Sequence, residues 1–167
     1  MNYLRFNAAL EGARLIARYE DEKTIRRVVM TFWRPFELEQ AEWLEARQLR
    51  TKLVNGELDE FTIPIGAYVA KATFIGMSGN ASAEVYWVSA AAKMSGGYEP
   101  ALSLTFEASP EVALLTWLAA SVKGYVEVEL LATRDAVVGL GASVLREPSI
   151  TKTSAITTPT REDLARM

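Results

Sequence analysis

Val28-Val29-Met30-Thr31-Phe32 and, about 74 positions later, Leu102-Ser103-Leu104-Thr105-Phe106 decide the fold, because the match runs on without a gap into the segments that follow. Thr31/Thr105, Phe32/Phe106, Glu37/Glu111, Trp43/Trp117, Leu44/Leu118 and Ala46/Ala120 are identical, and several other pairs exchange one apolar residue for another. The expectation is one structural unit used twice around a pseudo-two-fold axis.

Upstream of the first copy, Leu4, Phe6, Ala8 and Leu10 alternate with Arg5, Asn7 and Ala9, the period of a half-buried strand. Gly12 marks a bulge or bend, Leu15, Ala17 and Tyr19 resume the alternation, and Glu20-Asp21-Glu22-Lys23 reads as a hairpin loop before a strand from Thr24 to Phe32. Pro35 then opens a helix predicted over Phe36 to Val54. Its acids (Glu37, Glu39, Glu42, Glu45) come first and its bases (Arg47, Arg50, Lys52) last, which complements the helix dipole, and Asn55-Gly56 ends it. The apolar stripe Leu38, Trp43, Ala46, Leu49 and Leu53 predicts a helix with one side on a sheet and the other in water.

Phe61, Ile63 and Ile65 predict a strand whose Pro64 belongs at an edge or bulge. Tyr68 to Ile75 and Ala83 to Ala92 are further strands, separated by a turn over Met77 to Ser82 and followed by Ser95-Gly96-Gly97. The order then restarts. Ala101 to Phe106 is a strand, Ser109 and Pro110 suit a helix start, and a second helix runs to about Val122 before Lys123-Gly124. Val126, Val128 and Leu130 alternate in phase with Phe61, Ile63 and Ile65, and a one-residue slip would invert every side chain. Val137 to Leu145 suggests a last strand, and from Pro148 to Pro159 the chain becomes Ser/Thr-rich and loses its period. The reading is a mainly antiparallel α+β domain over 1–147 with two helices on one face, then a flexible arm over 148–167 whose Thr160 to Leu164 can cap a short helix.

Composition narrows the chemistry. The chain has 167 residues, is 50% hydrophobic and 23% charged, and carries a net charge of -3, so it is expected to bury a sizeable core without disulfide or metal. Its longest apolar stretch, Val112 to Val122, is too short for a bilayer, and the N-terminus has no signal-peptide pattern, so a cytoplasmic protein with no membrane partner is expected. There is no histidine and no cysteine, which removes the commonest general base, the commonest metal ligand and the thiolate nucleophile.

The remaining motifs favour structural readings. Glu57, Asp59 and Glu60 offer hard oxygens for a divalent ion but match no EF-hand spacing, so a solvated turn is expected. Val138-Gly139-Leu140-Gly141-Ala142 lacks the third glycine of a dinucleotide loop, and Lys93-Met94-Ser95 reads as a strand end before a turn rather than a serine and lysine pair. No cofactor and no catalytic residue are expected. Trp43 and Trp117, equivalent in the two copies, are expected in the core, whereas Trp33 beside Arg34, Arg26 and Arg27 could contribute a basic-aromatic face.

The second helix is apolar nearly all round and must be covered on both sides, which predicts a subunit contact through Leu114, Leu115 and Leu118. The leading functional expectation is therefore a non-enzymatic, self-associating interaction protein, a homo-oligomer whose C-terminal arm engages a neighbour or another protein. The duplicated strand-helix-strand-strand-strand units also resemble, in order of elements, the repeats of DNA sliding clamps over about residues 25 to 145, with the N-terminal strand completing the second repeat by circular permutation. That resemblance implies an oligomeric nucleic-acid-binding module in DNA metabolism. The cations available for such contacts are Arg26, Arg27, Arg34, Arg47, Arg50 and Lys52, with Trp33 among them.

Overall fold

The computed structural model describes residues 3–66, 68–133 and 149–152. Its elements follow the alternation of the sequence closely. Strands β1 (Tyr3–Glu20) and β2 (Lys23–Pro35) form a hairpin, two short helices α1 (Leu38–Trp43) and α2 (Arg47–Val54) follow, and β3 (Leu58–Pro64), β4 (Val69–Gly76), β5 (Gly79–Ser95) and β6 (Glu99–Ala108) come next. Helix α3 (Val112–Ser121), β7 (Tyr125–Ala132) and β8 (Ser149–Lys152) complete the described order. Every pairing is antiparallel, so the coarse reading of a mainly antiparallel sheet with few helices holds.

The sheet does more than the sequence foretold, because it closes. Its strand order is β4-β7-β1-β2-β6-β5-β3-β8, and β4 also pairs with β5. β4, β7, β1, β2, β6 and β5 therefore form a ring. The 17-residue β5 makes this possible: its first half lies along β4 (Val69 opposite Tyr86, Gly76 opposite Gly79), and its second half lies along β3 (Phe61 opposite Ala92). A closed ring has no open edge to aggregate, and one this narrow must be filled by side chains. Phe32, Phe74, Phe106 and Trp87 fill it. Phe32 stacks on Phe74 at 5.6 Å and meets Phe106 edge-on at 5.9 Å, while Trp87 and Phe106 lie 5.3 Å apart. All four are buried, each contributing about 1.5–3 kcal/mol by leaving water.

The period of two explains the inward set. Leu4, Phe6, Ala8 and Leu10 of β1, Val126, Val128 and Leu130 of β7, and Ala70, Ala72 and Phe74 of β4 are all buried in one core cluster. On the outer surface Arg5 forms an ion pair with Glu127, with Glu129 at 3.8 Å, spanning the β1–β7 seam. The register of β1 on β2 shifts between Leu10 and Gly12, which is the bulge expected at Gly12.

Three details correct the sequence reading. The helix expected over Phe36 to Val54 is two helices, because Glu45 adopts a left-handed conformation (φ 51°) and Ala46 N–H reaches back to Ala41 O at 2.8 Å. The turn sends α2 in a new direction, burying Leu53 in the core and bringing Arg50 Nε to Phe36 O at 2.9 Å. The later helix starts at Val112 with Glu111 as its N-cap, not at Ser109-Pro110. Lys123 (φ 68°), rather than Gly124, supplies the left-handed residue after it. Of the expected arm, Ser149–Lys152 form β8 against β3. The strand suggested at Val137 to Leu145, the Val138 to Ala142 glycines and the terminal helix at Thr160 lie outside the described residues.

Candidate interaction surface

β1 and β2 are longer than the ring needs. β7 covers β1 only from Tyr3 to Ala9, and β6 covers β2 only from Val28 to Pro35. Beyond those limits the hairpin continues as a two-stranded arm, Leu15 opposite Val28 and Glu20 opposite Lys23, turning at Asp21 (φ 49°) and Glu22 (φ 63°). Two consecutive left-handed residues make the twist-matched hairpin turn usually built with Asn-Gly. At the root of the arm, Leu10 N–H donates to Gly124 O at 3.0 Å and Lys123 N–H donates to Leu10 O at 2.7 Å. From Glu11 to Glu20 that edge of β1 has no strand partner among the described residues.

The arm has two chemically different faces. One prolongs the ring's interior: Ala13, Leu15, Ala17 and Tyr19, with Leu15 63% and Tyr19 75% exposed. Its base meets α3, and Ala13, Leu15, Val28, Leu115, Leu118, Ala119 and Val122, with Arg14 beside them, bound a mostly apolar groove of about 170 Å³. The other face carries Arg14, Ile16, Arg18 and Glu20, and rests on the outside of β5 and β6. Arg18 NH2 donates to Glu107 Oε2 at 2.7 Å, so the nearly buried Glu107 carboxylate is neutralised by a residue 89 positions away. Arg27 sits 5.4 Å above the Tyr86 ring and donates to Ser109 Oγ at 3.4 Å. Between them lies a cleft of about 460 Å³.

The sequence-derived site residues fall in several places. Leu114 (1% exposed) and Leu118 (2%), expected at a subunit contact, are largely buried in the core of the single chain, and Leu118 lines the groove beside the arm together with Leu115. They turn inward because α3 lies against β5 and β1. Leu115 is partly buried, and Val112 (81%) and Val122 stay at the surface. The apolar circumference of α3 is thus covered on one side by its own chain.

The cations do not gather into one face. Arg26 and Arg27 are consecutive in β2 and so point to opposite sides, and Trp33 lies about 20 Å along the strand from Arg27. Arg34 donates to Pro35 O at 2.9 Å and Asn7 O at 3.1 Å, and Arg50 donates to Phe36 O while lying 5.8 Å from that ring. Both guanidiniums pin main chain at the strand-to-helix corner. Arg47 and Lys52 remain, beside Gln48, Thr51 and Glu57 on one surface of α2. Trp33 is half-buried, opposite Ser103 and Ala9. Trp87 is in the core, its Nε1–H donating to Ser89 O at 3.1 Å.

Among the described residues no three acidic groups stand close enough to hold a metal, Glu57, Asp59 and Glu60 included. No described helix is long and apolar enough to cross a membrane. Lys93 and Ser95 are both exposed at the end of β5. Among the described residues, Tyr68 is strongly altered by its surroundings. Its hydroxyl is buried without a hydrogen-bond partner among the described residues, its ring lies 5.5 Å from Trp87, and burial pushes its pKa up to about 12. It sits fully buried inside the fold.

No family model, no curated protein and no solved structure matches this chain.

Proposed function

We propose that the protein is a non-enzymatic, self-associating interaction protein of the cytoplasm, and that the segment over 148–167 engages a neighbouring subunit or another protein. The observation that carries this reading is the apolar surface left over once the core is complete: Leu15 on the arm beside Leu115 and Val122 on α3, with Tyr19 farther along the arm and Val112 at the start of α3 also exposed. Exposed apolar surface of this kind is what protein contacts use. The lack of histidine and cysteine supports a role without catalysis.

We also read the domain as a duplicated unit. Thr31 and Thr105, equivalent in the two copies, are directly opposite each other in the β2–β6 pair, where a local two-fold axis would bring them. Trp43 and Trp117 each pack on a ring phenylalanine, Phe6 at 5.5 Å and Phe74 at 5.3 Å. These contacts support the repeat.

Sedimentation equilibrium tests the functional reading. The full chain should run as a multiple of its own mass. Leu115→Glu and, separately, deletion of Ser149–Met167 should shift the mass toward one chain while far-UV circular dichroism keeps its strand signal. A wild-type chain at the mass of one copy throughout would overturn the proposal.

A further inference from the structure

We infer that two copies join edge to edge along the arm of β1, antiparallel, about a two-fold axis through Ala17. This rests on the reading that the chain self-associates, and adds which strand does so and in which register. The edge from Glu11 to Glu20, which has no strand partner among the described residues, presents main-chain donors and acceptors that a second strand satisfies. Four features of the arm select a second copy of the same strand.

The first is charge. With Ala17 opposite its own symmetry mate, Arg14 faces Glu20 of the other copy twice over, and both side chains are exposed in the single chain. The second is the apolar face, where the same register sets Leu15 against Tyr19, joining the two most exposed apolar residues of the arm into a continuous band. The third is the behaviour of neighbouring registers. An axis at Ile16 opposes Arg14 to Arg18, and an axis at Arg18 opposes that arginine to itself, both placing like charges side by side. The fourth is room. An axis at Leu15 would put Glu20 of one copy opposite Leu10 of the other, whose N–H and C=O are already taken by Gly124 and Lys123. The Ala17 register spans Arg14 to Glu20 and stays clear of that contact.

Arg18 keeps its intrachain bond to Glu107 in this arrangement, which holds the arm against the ring and gives the edge a fixed direction. The joined arms form a four-stranded sheet across the two-fold axis, with the α3 groove of each copy beside it.

Because the chain has no cysteine, single cysteines report the register directly. Directly opposed residues of an antiparallel pair have Cα atoms about 4.5–5.5 Å apart, inside disulfide range. Ala17→Cys alone should give a disulfide-linked dimer under mild oxidation. Leu15→Cys and Tyr19→Cys should cross-link strongly only when mixed. Arg14→Glu should weaken association about tenfold, and adding Glu20→Arg should restore it. If the wild type is oligomeric by mass but Ala17→Cys does not cross-link and Arg14→Glu changes nothing, the edge contact is wrong while self-association stands. If the wild type is a single chain, both readings fall.

Discussion

Tyr68 concentrates the residue-scale physics of this molecule. Its ring is packed edge-on against Trp87, but its hydroxyl is buried without a described partner. A buried hydroxyl left unpaired costs about 1–3 kcal/mol of desolvation. Tyr68→Phe should therefore leave neutral-pH stability unchanged or raise it by about 1 kcal/mol, read as a higher urea midpoint at constant slope. Ionisation gives a second readout. An unfolded phenol releases its proton near pH 10, and burial delays release in the folded chain to about 12. Between those values the unfolded state holds fewer protons, so stability falls as pH rises. The contribution is fully present below about pH 10 and lost by about pH 12. The difference between wild type and Tyr68→Phe should widen across that window, and parallel curves would reject the assignment.

At the scale of elements, the two tryptophan anchors invite comparison. Trp117 on α3 stacks on Phe74 with an interplanar angle of 24°, and its Nε1–H donates to Gly79 O at 2.8 Å. Trp43 at the end of α1 packs on Phe6, with no hydrogen bond from its indole among the described residues. Trp117→Phe should therefore cost more stability than Trp43→Phe by about 1 kcal/mol, the net worth of one hydrogen bond. Equal losses in denaturant titrations would mean that the indole bond contributes nothing. Both positions were legible as core from the sequence because they coincide in the sequence match at a spacing of about 74 residues. The strands were legible too, since period-two burial is written directly in the first half of β1 and in β7. The helix break at Glu45 was not. Nothing local marks a left-handed glutamate in a run of good helix formers, and the bend is set by where Leu53 must enter the core. Nor did Ser109-Pro110 start α3 as their types suggest, because Glu111 N–H bonds back to Ser109 O at 2.8 Å in a tight turn before the helix.

For the whole molecule, closure of the ring is the property a linear reading could not supply. It depends on β5 changing neighbours halfway along, and on β4 pairing on one side with β5, which follows it directly, and on the other with β7, which comes much later in the chain. The candidate surface was hidden for the same reason: Arg18 and Glu107 meet only once β1 and β6 flank β2, and Leu114 and Leu118 become more buried than Leu115 only when α3 docks. Closure also has a thermodynamic consequence. Each ring strand is held on both sides, so none can leave without opening two ladders, and Trp43, Trp87 and Trp117 report from separate parts of one core cluster. Unfolding should be a single transition, with tryptophan fluorescence and far-UV circular dichroism giving coincident urea curves. Two separated transitions would mean that the helices or the arm fold independently of the ring. The proposed self-association would add a further term by mass action, because a dimer that dissociates on unfolding has a midpoint that rises with protein concentration. The wild-type midpoint should therefore rise on concentrating the sample, whereas that of Arg14→Glu should move far less over the same range. A rise of equal size in both would place the contact away from the β1 edge, and no rise in either would leave the arm as a solvated hairpin on a monomeric barrel.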